Sequence, residues 1–403
     1  MSPQPLARPL LRPFLRPLVP LYRLALGMRE LRLGRGWERV ERLERPVISI
    51  GNISAGGAGK TPLTIALARA LTRRGIAVDV LSRGYGRRSK LAARVDPTGA
   101  AEEFGDEPLL IARAAGVPVF VARQRVEAGR LVETAEANAS RQGTTSVVPQ
   151  MPQNKNRASA PEGTDGAQGL KPPVLVGSGN GTTEVMPCYK ASAIEDTPRF
   201  ALHLLDDGFQ HRQLARDVDI VLVNHADLAD ALLPAGNLRE PLASLQRATV
   251  LAIPAEEPET ASALRAMGFA GPIWRIRRRM EVPTINGPVI AFCGIARPAQ
   301  FFSGLEQAGL ELAVRKVYAD HHRYTAAELL QLASAALTTR ATLVTTEKDA
   351  VRLAPLLHLL PPAVELQTAV LVSEIEDEDA ALDWLLTHFE PGRTGISCAP
   401  PGR

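Results

Sequence analysis

The feature that most constrains this chain of 403 residues is a glycine-rich segment, SAGGAGKT, at residues 54–61. The apolar run at 46–51 predicts a buried strand before it, and residues 61–73 are predicted to form the helix that follows. Between such a strand and helix, backbone N–H groups point inward and bind phosphate oxygens. The main chain can approach the phosphates wherever glycine leaves no Cβ atom to clash with them, at Gly56, Gly57 and Gly59.

The remaining residues of this loop predict a nucleotide site. Lys60 is expected to reach the β- and γ-phosphates, and the Thr61 hydroxyl is expected to bind Mg²⁺. Ser54 stands where the pattern usually begins with glycine, and Ala55 and Ala58 complete the loop. The alternative is a glycine-rich turn with an incidental lysine, which the strand–loop–helix context disfavours. The motif does not identify the phosphate acceptor.

Acidic residues at two places are candidates for the chemistry. Asp206 and Asp207 follow the apolar run 200–205, which is how P-loop proteins place a carboxylate beside the metal. A simple Asp-Asp-Gly turn is the alternative. Asp106 and Glu107, in GDEP, precede a predicted helix. Asp106 is a candidate base for the acceptor hydroxyl, and the alternative is that the two acids only cap the helix.

Basic residues supply further candidates. His321 and His322, in DHHRYT, lie in the second half of the chain. An imidazole could support Asp106 if the two halves close on each other, and a structural histidine pair at a helix start is the alternative. Arginine offers a bidentate fork for phosphate or another anionic group of an acceptor. The candidates of this kind are Arg83, Arg125 and Arg239.

Strands alternate with helices along most of the chain, which predicts an α/β fold with a parallel sheet. We predict a P-loop NTPase-like domain over 46–275 and a second, smaller α/β domain over 285–390. The basic stretch 274–280 is predicted to lead towards the boundary. Further predicted strands are 77–81, 117–121, 200–205, 218–223, 246–253, 288–293 and 341–345, with helices at 298–309 and 325–338. Residues 138–197, polar and without periodicity, are predicted to be a disordered insertion, and 391–403 a frayed tail.

The first 45 residues are predicted to associate with a membrane surface. Residues 1–35 contain seven arginines and one acid, Glu30. Prolines four apart, up to Pro20, predict that residues 1–20 do not form a regular α-helix. From Leu21 to Arg35, apolar residues at helical spacing alternate with arginines, which is typical of a helix lying on an anionic membrane. A solvated arm docked on the protein is the alternative.

Bulk properties exclude several classes. The net charge of +4 and an aromatic content of 4% do not predict a nucleic-acid partner. Three widely spaced cysteines predict neither a disulfide framework nor a zinc cluster, and suit a reducing cytoplasm. Arginine and proline interrupt every apolar run near the N-terminus, so neither a secretory signal nor a membrane span is predicted.

Eight short blocks, in this order, carry a resemblance to a known family. They are GNISAGGAGKTP (51–62), SRGYGR (82–87), GDEP (105–108), LLDDGFQHR (204–212), LLPAGNLREPL (232–242), GIARP (294–298), DHH (320–322) and TTEKDAVRL (345–353). Together they resemble the tetraacyldisaccharide 4′-kinases of lipid A synthesis, over residues 46–136 and 200–355.

The resemblance implies ATP, Mg²⁺ and an acylated, 1-phosphorylated glucosamine disaccharide as the acceptor, phosphorylated at its 4′-hydroxyl. It implies peripheral attachment to the cytoplasmic face of the bacterial inner membrane, and two α/β domains with the active site between them. In the matching blocks, Asp106 with His321 is the proposed base pair, while Glu107 and Asp207 lie near the metal. The residues expected on the acceptor side are Arg83, Arg125, Gln210, His211, Arg239 and Glu240.

Two other classes share part of this pattern. An assembly or partitioning ATPase would carry the same phosphate loop but should lack the GDEP, LLPAG and DHH blocks. A nucleic-acid-dependent NTPase would need a basic stripe with aromatic residues. Activity that depends on a lipid acceptor would separate the kinase from both.

Overall fold

The computed structural model describes residues 12–56, 59–141 and 201–389. The predicted insertion lies outside these residues except for 138–141, which end a helix, and the predicted tail lies entirely outside them.

Twelve strands of the described residues form one sheet. In chain order they are β1 (Val47–Asn52), β2 (Ala77–Ser82), β3 (Ala93–Arg94), β4 (Val119–Val121), β5 (Ala201–Asp206), β6 (Val218–Leu222), β7 (Val250–Pro254), β8 (Ile273–Glu281), β9 (Val289–Cys293), β10 (Leu312–Val317), β11 (Thr342–Thr346) and β12 (Leu366–Ile375). The predicted strand at 246–253 begins only at Val250, because a 3-10 helix (Leu242–Arg247) precedes it.

The α-helices connect and cover these strands. They are α1 (Arg12–Leu15), α2 (Val19–Gly34), α3 (Lys60–Arg73), α4 (Ala101–Phe104), α5 (Asp106–Ala115), α6 (Arg125–Arg141), α7 (His225–Leu228), α8 (Pro258–Ala266), α9 (Pro298–Gln307), α10 (Ala326–Thr339), α11 (Glu347–Leu353) and α12 (Glu378–Leu386).

The strand order is β10-β9-β11-β12-β8-β7-β6-β1-β5-β2-β4-β3. Neighbours run parallel except β3 with β4 and β8 with β12, which confirms the predicted α/β class. β1 lies between β5 and β6, with Ile50 opposite Asp206. The carboxyl ends of β1 and β5 therefore meet at the same edge of the sheet.

The central strand is apolar because helices cover both faces of a parallel sheet. All six residues of β1 (VISIGN) are buried. A Cβ atom built on Gly51 would lie 2.5 Å from the Cβ of Phe209. Only glycine therefore lets the chain after β5 come this close to β1.

The basic stretch predicted to lead towards a boundary forms the nine-residue strand β8. Its side chains alternate, so that Ile276 is buried while Arg277 and Arg279 lie on the outer face. There Arg277 pairs with Glu376, and Arg279 with Glu374, on or next to the antiparallel neighbour β12. Cross-strand ion pairs thus let a run of arginines form a strand.

The N-terminal segment is helical but interrupted: over 12–20 it forms no regular α-helix, as its prolines predict, and 1–11 lie outside the described residues. From Arg12 to Gly34 the chain is helical, as α1, a 3-10 turn (Arg16–Leu18) and α2. Pro13, Pro17 and Pro20 each stand in the first turn of a new segment, where a missing N–H group costs no hydrogen bond. The helix therefore begins again at each proline.

The last helix, α12, packs against α3 of the P-loop half. Leu382 and Leu385 are buried in the same apolar cluster as Leu67 of α3, and Trp384 meets Trp274 edge to face at 6.3 Å. The division into two domains at 275–285 remains a prediction.

Candidate active site

The phosphate loop connects the carboxyl end of β1 to the first turn of α3, and two of its glycines have positive φ angles. The φ angle is +101° at Gly56 and +85° at Gly59, conformations that side chains with a Cβ atom rarely adopt. Apart from chain neighbours, a Cβ atom built on Gly56 would meet no atom of the described residues within 4 Å. Glycine is therefore required at Gly56 by the backbone conformation. Steric contact with other described residues does not require it. Its close approach to a phosphate stays a prediction. Gly57 and Ala58 lie outside the described residues.

The lysine and threonine of the loop stand in the first turn of α3. Thr61 is buried. Lys60 Nζ donates a hydrogen bond to Asn52 Oδ1 (2.8 Å) and lies 3.4 Å from Asp207 Oδ1. The ammonium group is thus held between the end of β1 and the turn after β5.

The start of this loop is bonded to the segment LLPAGNLREPL. Ala55 N–H donates to the main-chain oxygen of Asn237 (2.7 Å), and Arg239 N–H donates to that of Ile53 (2.8 Å). Ser54, next to Ala55, is buried. The acceptor-side segment of the sequence prediction therefore lies directly beside the phosphate loop.

Asp207 forms the turn after β5 and also faces the phosphate loop. Its φ is +51°, uncommon for a residue other than glycine. Arg125 Nη2 donates to its main-chain oxygen (3.1 Å), and Arg239 Nη1 to its Oδ1 (3.1 Å). Burial alone would raise the pKa of Asp207, but Lys60, Arg239 and Arg125 lower it to about 2. The Asp-Asp-Gly turn considered as an alternative is therefore present, and it also places a charged carboxylate beside the phosphate loop.

Asp206 is the more buried acid of the two, with 2% of its surface exposed. Its Oδ2 accepts a hydrogen bond from Ser82 Oγ (3.2 Å). Burial, followed by the charges of Glu107 and Asp207, raises the pKa of Asp206 to about 7. Burial and two neighbouring carboxylates together therefore disfavour the ionised form of Asp206.

We expect Asp206→Asn to raise thermal stability at pH 8 without added metal. The folded pKa lies above the unfolded value of about 3.9. The stability linked to the bound proton is therefore present at pH 4 and lost as the pH rises through about 7. Calorimetry should show a Tm increase of roughly 2–4 °C at pH 8, shrinking towards pH 4. Asp377→Asn, at an exposed turn with φ of +49°, is the matched control. An increase that did not depend on pH would contradict the assignment.

The residues predicted to hold Mg²⁺ fit a divalent cation. Thr61 stands in the first turn of α3, and burial, followed by the charges of Glu107 and Asp207, raises the pKa of Asp206. A cation would relieve this repulsion. Across residues 12–56, 59–141 and 201–389, no three carboxylate, histidine or cysteine side chains form a ready-made metal cluster.

Asp106 and His321 come together, as predicted. Asp106 is the first residue of α5, only 7% exposed, and its Oδ2 lies 3.1 Å from His321 Nδ1. Arg352 Nε donates to the same oxygen (3.0 Å). Burial alone would raise the pKa of Asp106, but His321 and Arg352 hold it well below its usual range. The hydrogen bond to Asp106 in turn raises the pKa of His321.

The two adjacent histidines have different surroundings. His321, with a φ of +58°, is part of the Asp106 pair, and its ring lies 5.7 Å from that of Tyr85. His322 stacks on Tyr318 at 4.6 Å, and its Nε2 lies 3.0 Å from Glu328 Oε1. His322 is thus held by neighbours close in the sequence, whereas His321 meets Asp106, more than two hundred positions away.

Sequence reasoning missed Lys348 and Arg352 as site residues. Lys348 Nζ forms an ion pair with Glu107, and Arg352 pairs with Asp106. The two basic residues are four apart on α11, so both side chains extend towards α5. The block TTEKDAVRL contains this spacing, but nothing in it specifies which acids, far away in the sequence, the two cations meet.

Three acceptor-side candidates line the turn after β5. Gln210 Nε2 donates to the main-chain oxygen of Asn52 (2.9 Å). Arg125, 7% exposed, supports the turn through the main-chain oxygens of Asp206 and Asp207. Burial, and then the charge of Arg125, lowers the pKa of His211 to about 4. That imidazole is therefore neutral at pH 7.

The other two candidates differ from each other. Arg83 is exposed and directly follows β2. Glu240 is buried, and its carboxylate faces Arg247 and, at 3.8 Å, Arg29 of α2. Glu240 therefore joins the acceptor-side segment to the N-terminal helix.

A lysine-bearing loop between β1 and α3, with acids at the end of the neighbouring strand, defines a P-loop nucleotide-binding protein. The family model described as Tetraacyldisaccharide-1-P 4'-kinase (LpxK) matches residues 11–140 and 188–390. The chain belongs to this family, which confirms the resemblance seen in the sequence.

Individual proteins of this family are similar to the chain over most of its length. A tetraacyldisaccharide 4'-kinase of Koribacter versatilis is 36% identical over 384 residues, covering 93% of this chain and 98% of the relative. That of Anaeromyxobacter dehalogenans (strain 2CP-C) is 34% identical over 364 residues, covering 83% and 80%. The crystal structure of "apo" form LpxK from Aquifex aeolicus in complex with ATP superposes with a TM-score of 0.62 at 25% identity, covering 94% of this chain and 100% of that chain.

Proposed function

We propose that this protein transfers the γ-phosphoryl group of ATP to the 4′-hydroxyl of a tetraacylated glucosamine disaccharide 1-phosphate, a lipid A precursor. The observation that carries the proposal is that two clusters of charged residues, drawn from distant parts of the chain, lie side by side. Lys60 and Arg239 converge on Asp207 beside the phosphate loop. The Asp106–His321 pair adjoins them through Glu107, whose charge acts on Asp206. The Aquifex aeolicus complex with ATP supports ATP as the donor.

Phosphoryl transfer depends mainly on positioning and on neutralising the charge of the migrating group. Lys60 and Arg239 supply cations where the β- and γ-phosphates would lie. Mg²⁺ held by Thr61 and Asp207, when bound, would neutralise further phosphate charge.

The Asp106–His321 pair would accept the proton of the acceptor hydroxyl. The sequence prediction made Asp106 the base, with His321 in support. Asp106, however, accepts hydrogen bonds from Arg352 and from the Glu107 N–H group, and its pKa lies well below the usual range. A carboxylate so stabilised is a weak base. We therefore propose that His321 takes the proton while ionised Asp106 orients and stabilises the imidazole.

Transfer of labelled γ-phosphate from ATP to the purified lipid disaccharide, in mixed detergent micelles, tests this function. The expected result is labelled lipid from the intact acceptor and none from an acceptor without a 4′-hydroxyl group. ATP hydrolysis that ignored the lipid, with no labelled product, would favour the assembly or partitioning ATPase instead.

We further propose that α2 attaches the protein to the cytoplasmic face of the inner membrane. Its outer face exposes Leu21, Leu24, Met28 and Leu31. Spacings of three, four and three residues place these side chains in one stripe. None of the helices in the described ranges is apolar over a length sufficient to span a bilayer. The stripe, with its flanking arginines, suits a helix lying in the plane of an anionic surface.

An apolar groove of about 480 Å³ lies beside this stripe. It is lined by Leu18, Leu21, Tyr22, Ala25, Leu233 and Pro234. The last two belong to the segment that contains Arg239. We propose that an acyl chain of the acceptor lies here, because the groove extends from the exposed stripe to the acceptor-side segment.

Changing Leu21, Leu24 and Met28 together to serine is expected to weaken binding to anionic vesicles by at least ~10-fold. Each fully buried apolar side chain contributes about 1.5–3 kcal/mol, so even partial insertion of three gives this factor. Sedimentation with vesicles at low and high salt measures it. Leu330→Ser with Leu337→Ser, two exposed leucines on α10, is the control. Unchanged sedimentation of the triple variant would place the membrane contact elsewhere.

A further inference from the structure

The inner face of α2 packs on the active-site half of the protein. Val19, Tyr22 and Leu26 are half-buried against an apolar cluster that includes Ile53 and Phe209. Ile53 enters the phosphate loop, and Phe209 follows the acidic turn. The helix thus packs on residues next to the phosphate loop and next to the turn that contains Asp207.

A hydrogen bond from Tyr22 holds the main chain of Arg239. The Tyr22 hydroxyl donates to the Arg239 main-chain oxygen at 2.8 Å. The N–H group of Arg239 donates to Ile53 on the other side. With its backbone fixed from two directions, Arg239 directs its guanidinium to Asp207 Oδ1 (3.1 Å). Asp207 is also the carboxylate that faces Lys60.

A second bond connects α2 to the turn after β5. Arg29 Nη2 donates to the main-chain oxygen of Gln210. The Gln210 side chain donates to Asn52 at the end of β1, and its Oε1 lies 3.4 Å from Arg239 Nη1. Both contacts of α2 therefore end on Arg239 itself or on a residue that touches it.

We propose that Tyr22 is a positioning residue for phosphoryl transfer, which makes α2 part of the active site as well as a surface element. Tyr22 acts through Arg239, whose position depends on the hydrogen bond to its carbonyl oxygen. The inference rests on the proposed function for its kinetic readout. It does not require that α2 bind a membrane.

Tyr22→Phe removes the hydroxyl and keeps the ring in the apolar cluster. In detergent micelles, where membrane binding does not limit the rate, we expect kcat to fall about 3- to 10-fold, the loss of one hydrogen bond. The KM for ATP should stay unchanged. Tyr318→Phe is the matched control, because within the described residues the buried Tyr318 hydroxyl has no hydrogen-bond partner. It should retain the wild-type kcat.

A double variant separates positioning from general destabilisation. If Tyr22 acts through Arg239, adding Tyr22→Phe to Arg239→Ala should cost nothing further. The same fold-loss in both backgrounds, or an unchanged kcat in Tyr22→Phe alone, would overturn the proposal.

Hydrogen exchange gives a readout that needs no substrate. Amides of residues 207–212 and 237–240 should exchange faster in Tyr22→Phe than in wild type, and unchanged exchange would also overturn the proposal. Failure of the proposed function would appear separately, as absent lipid phosphorylation by the wild-type protein.

Discussion

Lys60→Ala is expected to lower kcat for lipid phosphorylation by at least ~10²–10³-fold. Lys60 Nζ is held by Asn52 at the end of β1, where it can follow the charge of the migrating phosphoryl group. Arg239 is a second cation of the site, but it does not occupy the place beside Asn52 that Lys60 takes. Single-turnover phosphate transfer measures the loss directly.

Lys90→Ala, at an exposed position outside the loop, should leave the rate unchanged. Circular dichroism and thermal unfolding should show that both variants are folded. Near-normal transfer by folded Lys60→Ala protein would contradict the assignment of the loop.

Asp106→Asn is expected to lower kcat by ~10²–10⁴-fold while ATP binding changes little. The amide keeps the shape of the carboxylate but removes the negative charge that stabilises a protonated His321. His321→Gln should reduce kcat in the same way. Rapid-mixing measurements of the chemical step, with equilibrium ATP binding, separate the two effects. Comparable losses of ATP affinity in both variants would make them nucleotide residues instead.

The pH dependence of kcat identifies the base. Asp106 and Asp320 raise the pKa of His321, whereas its burial and Arg352 lower it, with a net increase above 6.5. If His321 accepts the proton, kcat should rise with pH through that raised pKa. This limb should vanish in His321→Gln and shift to lower pH in Asp106→Asn. His358→Gln, at an exposed histidine, should keep it. Absence of the limb in wild type would restore Asp106 as the base.

The phosphate side of the site could be predicted from sequence because it is local. The loop with Lys60 and Thr61 lies between β1 and α3, which follow each other along the chain. Strand–loop–helix patterns and short motifs are continuous in sequence, so their residues meet whatever the rest of the fold does.

The remainder depends on contacts between distant segments. Arg352 and Lys348 acquire roles only because α11 packs on α5. Similarly, nothing near Arg277 and Arg279 indicates a strand, because their partners at β12 lie almost a hundred positions away. A sequence pattern shows which charges a segment carries, but it does not show which distant charges will face them in the fold.

The packing of α12 on α3 has a consequence for synthesis of the protein. Arg74, at the end of α3, pairs with Asp379 and Asp383 of α12, and α12 comes almost last in the chain. A ribosome adding about 5–20 residues per second needs tens of seconds to proceed from one helix to the other. During that interval the nascent chain already carries its phosphate loop, but the helix behind the loop lacks its final support. Packing behind the nucleotide site is therefore complete only after Asp379 of α12, 305 positions beyond Arg74, has been synthesised.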